Sequence, residues 1–260
     1  MQLARCRNMS LKFVRQDGAE TLYTCPDCGK PKLNWNASRG LGRCFTCDKG
    51  YNTVTFQRLL GVELTLQPQV SWRRPKPSEG YVEAWGYPRC RAYMQGRGVG
   101  QEVTEACGAL YADDQVHFPV WSPFEMPPML MRRSILPGEK GWRSFAGHKG
   151  DYLFGKWPTN GTVILAEGTF DVLTPGLWGK AVATLGKTVS FDMAMWLASN
   201  SERLFVWFDP DAAGKMGALA TALLLSTIWG KEVAVIQAKE PGSCTPQEAE
   251  EILKGAGYYV

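Results

Sequence analysis

Between residues 162 and 259 the sequence alternates short apolar runs with longer helix-patterned segments, and two of the runs end in acids. Val163-Ile164-Leu165-Ala166 runs into Glu167-Gly168, and Leu204-Phe205-Val206-Trp207-Phe208 runs into Asp209-Pro210-Asp211. Continuous apolar runs of this length, bounded by turn residues, read as parallel strands buried on both faces. Residues 181–184 and 233–236 supply two more, and helical patterns cover 171–177, 191–198 and 212–229. A last helix is expected over 248–256, started by Thr245 as N-cap and Pro246 at the first helical position. This βαβα order predicts a small parallel sheet covered on both faces. Ligands bind at the carboxyl ends of such strands. Glu167, Asp209 and Asp211 are therefore expected to form a lysine-poor oxygen site for hard divalent cations.

A second chemical signature stands near the N-terminus. Cys25-Pro-Asp-Cys28 and Cys44-Phe-Thr-Cys47 have the spacing of a four-thiolate zinc site. Four thiolates close the tetrahedron, which marks the ion as structural rather than catalytic. Two disulfides are the alternative. Against them, Cys6, Cys90, Cys107 and Cys244 are scattered singly, as in a reducing cytosol, so a cytoplasmic protein is expected. Lys30, Lys32, Trp35, Arg39, Arg43, Phe45 and Lys49 surround the site. Aromatics among basic residues suit stacking on bases and contact with the phosphates of a single strand. The other reading of Trp35 and Phe45 is that they pack a very small domain, which needs every apolar residue it has.

The acid motifs carry a resemblance. Glu167-Gly168-Thr169-Phe170-Asp171 resembles the E-G-x-x-D element of the Toprim fold of topoisomerases and primases. Asp209-Pro-Asp-Ala-Ala-Gly214-Lys215 resembles the D-x-D-x-A-G element that follows it. Lys239-Glu240 stands where such primases carry Lys-Asp, a departure by one methylene that bears on Glu240 as a metal ligand. The cysteine module resembles the template-reading zinc ribbon at the front of bacterial and bacteriophage primases. Tyr93-Met-Gln-Gly-Arg97-Gly98 resembles the segment that opens the primase catalytic domain, and 116–120 its strand ending in Phe-Pro. Met131-Arg132-Arg133 and His148-Lys149-Gly150 through Leu153-Phe154-Gly155 resemble the basic strand and the close that precede the Toprim part.

The resemblance implies an α/β chain, α+β overall: a zinc ribbon over 1–61, a flexible linker over 62–80, an N-terminal polymerase subdomain over 81–160 and a Toprim subdomain over 161–260. The linker reading also rests on composition, since Pro68, Pro75, Pro77, Ser71 and Ser78 give residues 66–80 the character of a tether. The zinc module is thus expected to be mobile. The layout is nearest to the primase half of phage primase-helicases. The activity implied is synthesis of RNA primers from ribonucleoside triphosphates on single-stranded DNA. Glu167, Asp209, Asp211 and Glu240 would hold Mg2+ or Mn2+, with Asp171 a weaker candidate. Lys149 would be catalytic beside the metals. Arg97, one of Arg132 and Arg133, Trp35 and Arg43 would contact nucleotide or template. A non-catalytic DNA-binding or recombination-mediator Toprim protein and a Toprim nuclease remain as rivals.

Charge distribution accords with a polyanion partner. Residues 1–60 hold ten Lys/Arg against four Asp/Glu, and residues 161–260 hold seven against eleven. A basic front and an acidic rear suit a nucleic acid guided towards metals. No run of about eighteen apolar residues is present, so no membrane span is expected. Ala181-Val-Ala-Thr-Leu-Gly186-Lys187-Thr188 nearly matches a phosphate-binding loop, but Ala181 stands in place of the first glycine. With no such loop, and with the chain ending at Val260, the chain is expected not to open a duplex by itself, and its partner is expected to be a separately encoded helicase or none at all.

Overall fold

The computed structural model describes residues 11–60, 80–124, 126–127, 129–139, 141–143 and 148–258. The cysteine module is a five-stranded antiparallel meander: β1 (Lys12–Asp17), β2 (Glu20–Thr24), β3 (Leu33–Asn36), β4 (Leu41–Cys44) and β5 (Gly50–Asn52), paired in chain order. Helix α1 (Thr53–Leu59) comes next. Besides Cys25 and Cys44, the buried core of this module is Leu33, Trp35, Tyr51 and Phe56. The Trp35 ring lies flat on Phe56, with centroids 3.9 Å apart.

After residues 61–79, where the expected tether lies outside the described residues, a second antiparallel sheet begins with β6 (Val82–Glu83). Helices α2 (Pro88–Gly96) and α3 (Gln101–Ala106) precede β7 (Leu110–Ala112), β8 (Gln115–Val120), β9 (Met129–Ser134) and β10 (Trp142–Arg143). The order is β10-β9-β8-β7-β6. The β7–β8 turn places Asp113 and Asp114 at φ 49° and 54°. Positive φ at both central residues matches the right-handed strand twist, and Asp tolerates it better than most side chains. Strand β8 covers the expected 116–120, pairing through Val120 with Met129.

The C-terminal part holds β11 (Thr162–Ala166), α4 (Thr169–Leu173), β12 (Ala181–Ala183), α5 (Phe191–Asn200), β13 (Arg203–Trp207), α6 (Ala212–Trp229), β14 (Ala234–Val235) and α7 (Pro246–Gly255). Its strands are parallel, in the order β12-β11-β13-β14. Side chains alternate between two cores, as the strand period of two requires. Ile164, Ala166, Phe205 and Trp207 face α4, α7 and the second antiparallel sheet. Val163, Leu165, Leu204 and Val206 face α5 and α6. The expected two-sided parallel sheet is present. The helix expected over 171–177 instead begins at Thr169 and ends at Leu173. Pro175 explains the stop, because the residue before a proline is driven out of the helical region, and Thr174 sits at φ −55°, ψ 134°.

One expectation is corrected. The zinc module does not stand apart from the rest: it is docked against α5 and the end of α6. Asn52 is fully buried there and donates its amide to the carbonyls of Ala198 and Ser201. Ser199 Oγ donates to the Arg39 carbonyl at 3.0 Å. Gly50 meets the Trp229 carbonyl so closely that a Cβ would collide with it. Helix α6 is long and apolar enough to cross a bilayer by length and composition alone, with Lys215 inside it. It lies instead along the sheet, burying Ala218, Ala222, Leu225 and Trp229, while Met216, Leu219 and Leu223 form an exposed stripe.

Candidate functional site

In the zinc module, each Cys-x-x-Cys folds into the same tight turn. The Gly29 N–H donates to the Cys25 carbonyl at 2.8 Å, and the Asp48 N–H to the Cys44 carbonyl at 2.9 Å. Gly29 and Asp48, each four residues past its first cysteine, both take positive φ, 71° and 59°. The turns bring all four sulfurs within 4.8 Å of one another. Sγ of Cys25 lies 3.7 Å from that of Cys47, and Sγ of Cys28 lies 3.6 Å from that of Cys44. A zinc tetrahedron with bonds of about 2.3 Å has edges of about 3.8 Å, so the four thiols fit the ion. These separations are far too long for disulfides, and every cysteine among the described residues is free. Burial opposes ionisation of Cys44, but backbone N–H groups of Cys47 and Thr46 prevail and hold its thiol down at about 7.

At the carboxyl edge of the parallel sheet, five acids come together from three loops and the helix α4. Glu167 follows β11, and Asp209 and Asp211 follow β13. Glu240 is set by its neighbours: Trp207 Nε1 donates to the Lys239 carbonyl at 3.0 Å, and the Lys239 ammonium turns away to Glu248 at 2.7 Å. Asp171, on α4, is buried and accepts from Gly168 N at 2.7 Å and Gly242 N at 3.1 Å. One carboxylate oxygen from each of Asp171, Asp209 and Glu240 lies within 4.8 Å of the others, a geometry that fits a metal ion.

Electrostatics support that fit. Burial pushes Asp171 up to about 7. Burial, reinforced by the Asp209 charge, also raises Glu167, and burial with Glu240 and Asp211 raises Asp209. Glu167 Oε2 and Asp209 Oδ1 are buried without a hydrogen-bond donor. Acceptors left so are costly, and a hard cation is the partner that satisfies them.

Glu167, Asp171, Asp209 and Glu240 line a cleft of about 360 Å³ that is also lined by cations. Arg97, Arg133 and Lys149 reach it from α2, β9 and a 3₁₀ turn, Lys149–Asp151. Arg97 is braced over the rings of Phe170 and Tyr93, 4.9 and 5.8 Å from their centroids. Strand alternation decides between the two β9 arginines. Met131 and Arg133 line the cleft, whereas Arg132 points to the other face, exposed.

Three expected site residues are placed differently. Trp35 is 8% exposed and covered by Phe56, so its faces are not open to a base; this corrects its assignment as a template contact. Phe45, 69% exposed, and Phe13 on β1, 63% exposed, are open aromatics of the module. Arg43 is exposed but paired with Asp48 at 2.6 Å. Asp211 is the N-cap of α6, accepting from Gly214 N, and stands outside the three-acid cluster. Backbone donation from Gly214 keeps its carboxyl below the ordinary range. Gly214 is required there, because a Cβ would strike the Asp209 carbonyl.

Two residues were undervalued or missed in the sequence. Asp171 belongs to the central cluster, and its place in E-G-x-x-D was the available signal. Lys187 was missed, and the expectation of a lysine-poor surround is corrected. Its ammonium lies 3.3 Å from Asp211 Oδ1 and 4.0 Å from Glu167 Oε1. The near-match to a phosphate loop was the signal, with the wrong ligand attached.

No family model matches the chain. Among solved structures, the zinc-binding and RNA polymerase domains of the Aquifex aeolicus primase superpose with a TM-score of 0.57. The two are 18% identical, over 95% of this chain and 80% of that one. A DNA primase domain from Pseudomonas aeruginosa gives 0.55 at 20% identity, over 68% and 74% of the two chains. The DnaG primase catalytic domain bound to single-stranded DNA gives 0.55 at 17%, again over 68% and 74%. At these identities the likeness is one of fold: the chain carries the architecture of the zinc-binding and catalytic domains of bacterial DnaG-type primases.

Proposed function

We propose that this chain is a DNA primase that joins ribonucleotides into short primers on single-stranded DNA. The observation that carries the reading is the meeting of acids and cations in one cleft. Asp171, Asp209, Glu240 and Glu167 line it together with Arg97, Arg133 and Lys149. A triphosphate needs both: cations for its oxygens, and acids for the divalent ions that accompany it. The fold likeness supports the choice of nucleotidyl transfer over other chemistry that acids and metals serve. We also read the chain as zinc ribbon (1–61), linker (62–80), N-terminal subdomain (81–160) and Toprim subdomain (161–260), with Zn2+ held by Cys25, Cys28, Cys44 and Cys47.

In this reading Asp171, Asp209 and Glu240 hold Mg2+ or Mn2+, with Glu167 and Asp211 at the flank. Such ions, when bound, activate the attacking hydroxyl and neutralise charge on the leaving group. Arg133 and Lys149, which line the same cleft, neutralise phosphate oxygens, and Arg97, stacked over Phe170, positions triphosphate or template. Glu167, made more basic by burial and by Asp209, is placed to receive the proton of the ribose 3′-hydroxyl. The O3′–Pα bond forms, the bond from Pα to the bridging oxygen breaks, and pyrophosphate leaves. In the zinc module, Phe45 replaces Trp35 as an aromatic open to a base, near exposed Lys32 and Arg43.

The test is incubation of the zinc-loaded chain with single-stranded DNA, four ribonucleoside triphosphates and Mg2+. New oligoribonucleotides are expected. Template cleavage without synthesis would assign a nuclease, and binding alone a non-catalytic protein; either overturns the proposal.

A further inference from the structure

The loop that carries Lys187 is built with unusual care for a surface turn. Strand β12 ends at Ala183, and buried Thr184 pins the turn beyond it. Its hydroxyl lies 2.6 Å from the Gly186 carbonyl and 3.1 Å from that of Ala166, at the end of β11. Leu185 takes φ 61°, a left-handed conformation that is costly for a branched side chain, and Gly186 comes next at φ 158°. Strain of this kind persists only where the surroundings enforce it, and it concentrates at functional sites. Lys187 is then seated on α6. A Cβ at Gly217 would stand 2.8 Å from the Lys187 Cβ, and Thr221 Oγ1 reaches the Lys187 carbonyl at 3.5 Å. The result is an ammonium between Glu167 and Asp211, on a side chain only 33% exposed.

That placement divides the acids. Asp171, Asp209 and Glu240 converge on one point, and although the Lys187 charge is felt at Asp209, among these acids its ammonium comes within 4.0 Å only of Glu167 and Asp211. We propose that Lys187 is a tethered counter-cation that occupies the Glu167–Asp211 flank of the site. The Asp171–Asp209–Glu240 cluster is then open to one divalent ion, and a second ion must displace the ammonium. This rests on the reading of the acids as metal ligands given above. It makes the near-match at residues 181–188 an electrostatic device rather than a phosphate loop. Occupation of the second position becomes conditional: it occurs when a triphosphate brings its own charge and draws Lys187 off the acids.

The test titrates Mn2+ into the zinc-loaded full chain, by calorimetry and by electron paramagnetic resonance of free Mn2+, without nucleotide. Wild type is expected to bind one ion well and a second weakly. Lys187→Gln removes a unit charge about 4 Å from the acids, and is expected to tighten the second event by about tenfold or more. Lys187→Arg, which keeps the charge, is expected to behave as wild type. Thermal melts of the three proteins report whether folding has changed. Identical isotherms for wild type and Lys187→Gln would overturn the proposal. So would the absence of Mn2+ binding in both, or an effect of Lys187→Arg equal to that of Lys187→Gln. Primer synthesis is measured separately on the same samples, so its failure, with the expected isotherms, would refute the primase reading and leave this one standing.

Discussion

Asn52→Asp should detach the zinc module from α5 without unfolding it. Asn52 has two jobs, and only one survives the substitution. Its Oδ1 accepts from Thr55 N at 2.8 Å and caps α1, and Asp caps as well as Asn. Its amide donates to the Ala198 and Ser201 carbonyls. A carboxylate in that fully buried position has no hydrogen to give and meets two acceptors. Leaving buried acceptors unmade costs about 1–3 kcal/mol each. The docked arrangement should therefore lose roughly 2–5 kcal/mol, about 30-fold to several-thousand-fold in the docking equilibrium. Small-angle scattering reads the outcome. A compact chain of this length has a radius of gyration of about 18 Å, and the variant should exceed wild type by several ångström while retaining its zinc. A zinc-loaded Asn52→Asp protein whose scattering curve superposes on wild type would refute the argument.

Three further outcomes are expected. Cys44→Ser should release zinc and unfold residues 11–60, since among the described residues the module's buried hydrophobic core has only four side chains besides its ligands and a four-thiolate site contributes about 10 kcal/mol or more to such domains; hydrogen exchange that stays protected in β3 and β4 without zinc would contradict this. Arg133→Ala should weaken nucleotide binding about tenfold or more whereas Arg132→Ala should not, because only Arg133 lines the cleft and hydrogen bonds to a charged group are worth about 1.5–3 kcal/mol; equal effects in a nucleotide titration would contradict it. Burial holds Asp171 at about 7, against an ordinary 3.8. Between about pH 4 and pH 7 the folded chain thus keeps a proton that the unfolded chain has lost, so metal-free stability should fall by up to about 4 kcal/mol as pH rises. Denaturant melts of Asp171→Asn should lack that fall, and a retained slope would exclude Asp171 as its source.

What the sequence made legible was what neighbouring residues decide. Buried parallel strands read as unbroken apolar runs, so β11 and β13 and the acids at their ends stand out in the chain alone. Thr245-Pro246 marked the start of α7, where the Thr245 side chain accepts from Glu248 N at 3.3 Å. Cysteine spacing sufficed for the zinc site because each turn is local. Contacts across the sequence were not legible. Lys187 meets Asp211 over 24 positions, through a strand order and a glycine notch that no local pattern announces. Asn52 meets Ala198 over 146 positions, and a proline-rich tether suggested the opposite of docking. Trp35 was ambiguous for a different reason. An aromatic among lysines looks the same whether its face is spent on Phe56 or kept for a base.

The central claim is that the acids under the cleft hold the metals of nucleotidyl transfer. Its most direct test is template-dependent pyrophosphate release from ribonucleoside triphosphates in Mg2+, measured for wild type and for Asp209→Asn, with single-stranded DNA affinity determined in parallel. Asp209 has a buried oxygen that no protein donor satisfies, and the substitution removes its charge with little change in volume. The account predicts release by wild type, loss of at least about a thousandfold in the variant, and DNA binding that is nearly unchanged. Asp209→Asn with wild-type release, or a wild-type chain that releases no pyrophosphate on any single-stranded template, would contradict it.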